Sequence, residues 1–182
     1  MKPAHRFVMT FGRVAAGLLC MWISGLVSVE LPFANLPVSL QSLAAMVLPF
    51  FLPNREAVGV MLLYLVFGAL GLPIWAGGVG GFRYLTTDSG GYLVGMLVIT
   101  WIAGVSKKRL STVRFVRLFA LFVALHLVLS AIGMAWIAVI SPGGISFTTH
   151  ISPFLAGMVV KSAVGAFIVY GYHKSFLKPT NS

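Results

Sequence analysis

Apolar residues in this chain fall in long unbroken runs, separated by short polar or Pro/Gly-rich breaks. Such runs predict helices that are apolar around most of their circumference and must be covered by lipid or by one another. The first runs from about Phe11 to Val29, and a Pro-punctuated stretch, Leu31 to Pro37, then breaks helix geometry. A shorter run from about Ser39 to Leu52 ends at the polar turn Pro53-Asn54-Arg55-Glu56. The third covers about Ala57 to Leu72 and stops at Pro73, ahead of a Gly-rich loop from Trp75 to Ser89. A fourth run occupies Gly90 to about Val105. A fifth extends from about Val113 to Ile140, where Ser141-Pro142-Gly143-Gly144 ends it, and a sixth covers about Ser152 to Tyr172 before a polar tail. A spanning helix needs about 20 apolar residues, fewer where other helices shelter its ends. The pattern predicts an all-α integral membrane protein with about six transmembrane helices in a compact bundle. The expected spans are 11–29, 39–52, 57–72, 90–105, 113–140 and 152–172, within a single transmembrane domain over 1–182. The second and third runs are short, so a re-entrant or tilted arrangement stays open there. No period of 20–50 residues repeats, and nothing marks a second domain.

Composition agrees: 59% of the 182 residues are hydrophobic and 9% are charged, and the mean hydropathy is +0.99. A soluble domain carries roughly a quarter of its residues charged, so this chain suits the lipid bilayer. The net charge of +10 does not point to nucleic acid, because the cations sit in short groups between apolar runs. Lys2, Arg6, Arg13, Arg55, Lys107, Lys108, Arg109, Arg114, Arg117, Lys174 and Lys178 fall on one set of loops and ends, whereas the intervening loops hold Arg83. By the positive-inside rule, both termini are expected in the cytoplasm of a multi-pass cell-membrane protein. The basic N-terminus and first apolar run resemble a signal peptide. They lack a convincing small-x-small cleavage site and precede further spans, so the run is expected to be retained as a helix. Cys20, the single cysteine, lies in that run and leaves no disulfide framework.

Several chemistries lack their residues. The chain has no G-x-x-x-x-G-K-[ST], no H-E-x-x-H, no paired His and Cys at metal-ligand spacing, and no Ser/His/Asp set within one pocket. Its acids are Glu30, Glu56 and Asp88. Neither an enzyme nor a cofactor or metal is expected; a catalytic dyad would have to come from Asp88 with His150, both in outer loops.

Four features carry candidate chemistry. In Gly71-Leu72-Pro73-Ile74-Trp75-Ala76-Gly77-Gly78-Val79-Gly80-Gly81, the glycines permit positive φ and close approach. The loop is either a flexible re-entry between helices or a lid over a ligand, to which Trp75, Tyr84 and Arg83 would contribute. Lys161 lies in the sixth run, about nine residues from one end and eleven from the other. A cation there costs at least about 2.5–3.5 kcal/mol, so it snorkels or faces a cavity or partner. Holding an anion such as a ligand carboxylate is its natural use. Gly12, Ala16, Cys20 and Ser24 recur every four residues, a small-residue stripe for packing inside the protein or for contact with a separate subunit. His126 and Ser130, one turn apart, read as polar groups satisfied within the bundle, while His150 lies near the outer mouth.

These residues resemble the BioY family, the biotin-specific substrate-capture component (S-component) of energy-coupling factor (ECF) transporters. A family stretch like L-P-F-x-P-V-P-x-T-L-Q is similar to Leu31 to Gln41 here. The family's G-L-P-V-F-A-G-G-x-G-G is similar to Gly71 to Gly81, with Ile74 and Trp75 as changes, and P-T-G-G-Y-L-x-G is similar to Asp88 to Gly95. Pro153 to Lys161 resembles P-F-L-P-G-D-x-x-K. The resemblance implies a six-helix protein that binds biotin near the outer face, beneath the loops. It also implies a transmembrane coupling subunit and two ATPases as partners, which fits the missing P-loop. Lys161, Asp88, Arg83, Tyr84, Trp75, Gln41, Tyr92 and Ser89 are the expected ligand-binding residues. The chain departs from the pattern at Met158, where the family has an acid, and at Asp88-Ser89, where it has Pro-Thr. Asp88 is therefore expected to supply the missing carboxylate, to a ureido group or to Lys161 or Arg83. The alternatives to biotin are dethiobiotin, lipoate or another small carboxylic acid, or a non-transport role as a membrane scaffold.

Overall fold

A computed structural model describes residues 3–29, 38–110, 114–140 and 152–176. The stretch Leu31 to Pro37, the Ser141-Pro142-Gly143-Gly144 turn and His150 lie outside the described residues. In chain order the elements are α1 (Pro3–Leu26), β1 (Ser28–Val29), β2 (Val38–Ser39), α2 (Gln41–Phe51), α3 (Asn54–Ala69), α4 (Phe82–Leu85), α5 (Ser89–Arg109), α6 (Phe115–Ile140) and α7 (Ser152–Phe176). The six long helices follow the six apolar runs. Two features were not expected: the short antiparallel β1–β2 ladder, with Ser28 opposite Ser39, and the single turn α4 inside the Gly-rich loop. Stretches of α1, α5 and α6 are long and apolar enough to cross a membrane.

The shortest long helix occupies the centre. With 11 residues, α2 is about 16 Å long, half the hydrocarbon thickness of a bilayer. It packs against α1, α3, α5, α6 and α7, and Gln41, Ser42 and the whole of Ala45 to Phe50 are buried. That is how so short an apolar run is tolerated: protein, not lipid, covers it.

Its backbone is completed from α5. Pro49 has no N–H, so the Ala45 carbonyl one turn earlier loses its helical partner. The buried Thr100 hydroxyl lies 3.0 Å from that oxygen and 2.8 Å from the carbonyl of Met96. At the C-terminal end of α2, Lys107 donates to the carbonyls of Pro49 and Phe50 at 3.0 and 3.1 Å, meeting acceptors that a helix end leaves open.

Small residues bring the other helices together. Gly91 and Gly95 of α5 lie against Trp136 and Leu129 of α6, and Gly133 of α6 lies under the ring of Tyr92. On the other flank, Gly17 of α1 abuts Val60 of α3. Arg13 and Glu56 close the same interface with a two-pronged ion pair, 2.7 and 2.6 Å, assisted by Thr10. The remaining face of α1, with Phe7, Val8, Phe11 and Trp22, is exposed, as a lipid-facing helix requires.

Candidate functional site

The start of α2 is the chemical centre of the bundle. Lys161 of α7 lies nine residues into its helix, about 14 Å from the helix start, so it sits deep in the bundle. Because α2 is only half-length, its first turn reaches that depth: Lys161 donates to the Ser42 hydroxyl at 3.2 Å. Leu40, in the capping position of α2, supplies no side-chain hydrogen bond to the helix. The first amides of a helix have no intrahelical acceptor and carry its positive dipole end. An ammonium and a hydroxyl thus meet at the first turn of a helix, an arrangement that favours an anion with several acceptor oxygens.

A second set of groups joins this point to the Gly-rich loop. Gln41 accepts from the Ser39 hydroxyl at 3.0 Å, and its amide donates to the hydroxyl of Tyr64 on α3. Tyr64, fully buried, donates in turn to the carbonyl of Ile74 at 2.6 Å. Nor does the loop hang free. Ile74, Trp75 and Ala76 are buried; Trp75 and Val79 pair backbone to backbone; and the amides of Gly77 and Gly81 reach the carbonyls of Gly25 and Gly68 at 3.3 and 2.7 Å. Gly77 and Gly78 turn the chain with φ of +76° and +71°, a region that side chains disfavour. The indole edge of Trp75 rests on Gly68 of α3, its ring lies 5.5 Å from that of Tyr84, and its buried N–H has no hydrogen-bond partner among the described residues. The loop is packed into the bundle and is not a loose re-entry between helices.

The remaining expected site residues cluster around the start of α5. Asp88 and Ser89 begin that helix and are half-buried, and Tyr92 one turn on is buried against Gly133. Trp136 of α6 holds the approach to α5 by donating to the carbonyl of Thr87 at 3.0 Å. Arg83 is exposed on α4. The structure therefore brings together Gln41 and Lys161 at α2, and Trp75 and Tyr84 in the loop. Among the described residues, Lys161 has its hydrogen bond to Ser42.

Sequence reasoning missed Ser42 and Tyr64. His126, read as a polar group satisfied within the bundle, reaches Ser162 of α7 at 3.1 Å and the Phe122 carbonyl at 3.0 Å. The small-residue stripe divides. Gly12, Ala16 and Cys20 are exposed, while Ser24 is buried and donates to the Met21 carbonyl at 2.7 Å. Packing inside the protein accounts for Ser24 and leaves the other three facing outward.

Comparison with known proteins bears on this arrangement. The chain is 32% identical over 119 residues to the protein named biotin transporter BioY2 of Lactococcus lactis subsp. cremoris, an alignment that spans 63% of each chain. It is 29% identical over 150 residues to the biotin transporter BioY of Rhizobium etli, covering 77% of this chain and 79% of that one. The crystal structure of the S-component for biotin from an ECF-type ABC transporter superposes with a TM-score of 0.79 at 22% identity, over 96% of this chain and 95% of the other. The fold is therefore that of the matched S-component, a predominantly helical, multi-pass membrane protein. Residues 2–178 match the BioY family, and the chain belongs to it.

Proposed function

We propose that this protein captures biotin at the outer face of the cell membrane and passes it inward, as the substrate-binding component of an ECF-type vitamin transporter. The observation that carries the reading is the pairing of Lys161 with the uncapped start of α2 and the Ser42 hydroxyl. A half-buried ammonium within a membrane span favours an anionic partner, and the valerate carboxylate of biotin is one. The aromatic rings of Trp75, Tyr84 and Tyr92 supply apolar walls. Asp88 and Ser89, at the start of α5, supply polar groups for a ureido ring, and Arg83 stands at the rim. Gln41 contributes through Tyr64 and the loop above. The names of the Lactococcus and Rhizobium relatives support biotin over dethiobiotin and lipoate.

The proposal extends to partners. A chain without a P-loop draws the energy for release from others, here a transmembrane coupling subunit and two ATPases. The outward-facing Gly12, Ala16 and Cys20 offer that subunit a close helix approach.

Binding of labelled biotin to the purified protein tests the central claim. Wild type should bind it tightly, with dethiobiotin and lipoate competing poorly. Lys161→Ala should weaken binding on the order of 100-fold, the cost of removing one side of a buried charge pair. A wild-type protein that binds no biotin would overturn the proposal.

A further inference from the structure

Four separate segments meet at the hydroxyl of Tyr64: the end of α1 at Gly25, the start of α2 at Gln41, α3 itself, and the Gly-rich loop at Ile74. A methyl group on Gly25 would lie 2.6 Å from the Ile74 carbonyl, 3.0 Å from Gln41 Nε2 and 3.1 Å from Tyr64 Oη, so only glycine leaves room for the junction. Gln41 precedes Ser42, the residue bonded to Lys161. The same turn of α2 therefore touches the anion-binding ammonium on one side and, through Tyr64, the loop on the other.

We infer that Tyr64 is a positioning residue for ligand capture, whose hydroxyl latches the Gly-rich loop to the start of α2 and sets how fast bound ligand escapes. This rests on the proposed role in biotin capture. The physical ground is that Tyr64 is fully buried and its one oxygen both accepts from Gln41 and donates to Ile74. Removing it leaves a buried donor and a buried acceptor without partners in the closed state, whereas opening the loop exposes both to water. Losing the hydroxyl therefore favours opening. Tyr64 need not contact the ligand for this.

Tyr64→Phe keeps the ring and deletes the oxygen. Two quantities test the latch in purified protein: the release rate of labelled biotin, and amide hydrogen exchange read by mass spectrometry. Release should quicken on the order of tenfold, in line with one broken buried hydrogen-bond network. Exchange of the loop amides, among them Gly78 and Gly81, should quicken similarly while α5 and α6 keep wild-type protection. Gly25→Ala should reproduce both effects by crowding the junction. Gly59→Ala, on the same helix as Tyr64 but with nothing within 4 Å of the added methyl, should show neither. Unchanged release and loop exchange in Tyr64→Phe would overturn the latch, as would exchange that rises equally in every helix. If Tyr64→Phe fails to fold, Gly25→Ala carries the same test. A wild type without biotin binding would remove the functional reading and with it the ligand-release half of this one, while unchanged loop exchange in Tyr64→Phe, measured without ligand, would by itself overturn the latch.

Discussion

At the residue scale, Thr100 has the most sharply defined task. Pro49 strips the Ala45 carbonyl of its helical donor in the middle of a buried helix, and Thr100 stands opposite with a hydroxyl that it shares with Met96. Thr100→Val keeps the shape and deletes the donor. Leaving a buried carbonyl unsatisfied costs about 1–3 kcal/mol, and the sharing places the expected loss toward the lower end. Thermal unfolding in detergent should register it as a lowered midpoint, and a midpoint equal to wild type would mean another group serves Ala45. The same residues show what sequence discloses at this scale. Lys161 was legible because a cation inside an apolar run has no ordinary explanation. Ser42 and Tyr64 were not. A serine or a tyrosine in a helix is common, and its importance comes from what two other segments place beside it. Asp88 was legible as an unusual acid, but which of its expected partners it meets, a ureido group, Lys161 or Arg83, depends on distances between segments that no local pattern encodes.

At the element scale, the helices follow the apolar runs because a bilayer leaves few alternatives: backbone groups in lipid must bond within their own segment. The short run around 39–52 gave the correct position for α2 but not its surroundings. A half-length helix is equally compatible with a re-entrant segment at the lipid boundary, and only the packing against five neighbours decides for a central one. The β1–β2 ladder is not legible in the sequence, because two residues on each side make too short an alternation to read. In the Gly-rich loop, composition signalled freedom, whereas Trp75 seated on Gly68 makes the loop a fitted part of the bundle. That seat depends on the bare face of Gly68. A methyl there would enter the indole, so Gly68→Ala should unseat Trp75 and loosen the loop, while Gly71→Ala, where space is open, tests backbone conformation alone at a φ of +102°. The intrinsic fluorescence of Trp75, isolated by replacing the other tryptophans with Phe, should shift to longer wavelength in Gly68→Ala as the ring gains water. No shift would mean that the indole finds another apolar seat.

For the whole molecule, the distribution of charge fixes a direction that packing alone does not. The bundle has two ends. One carries the start of α2, the Gly-rich loop and α4 with Arg83; the other carries the Arg13–Glu56 pair, the C-terminal end of α2 capped by Lys107, and exposed Lys108. In the sequence, 11 of the 13 Lys and Arg residues fall on the chain ends and loops of this side, which by the positive-inside rule makes it cytoplasmic. The orientation has a functional consequence. It turns the open start of α2 and Lys161 toward the outside, where a capture protein meets its ligand, and the exposed Gly12 toward the inner half of the membrane. Single reporters can test it. With Cys20 replaced by Ser, Arg83→Cys should react with a membrane-impermeant maleimide in intact cells. Lys108→Cys should react only after the membrane is opened, since both side chains are exposed in the fold. The opposite pattern would place the ligand site on the cytoplasmic face. Capture from outside would then be untenable even if biotin binds, because a protein that meets its ligand from within has nothing to import.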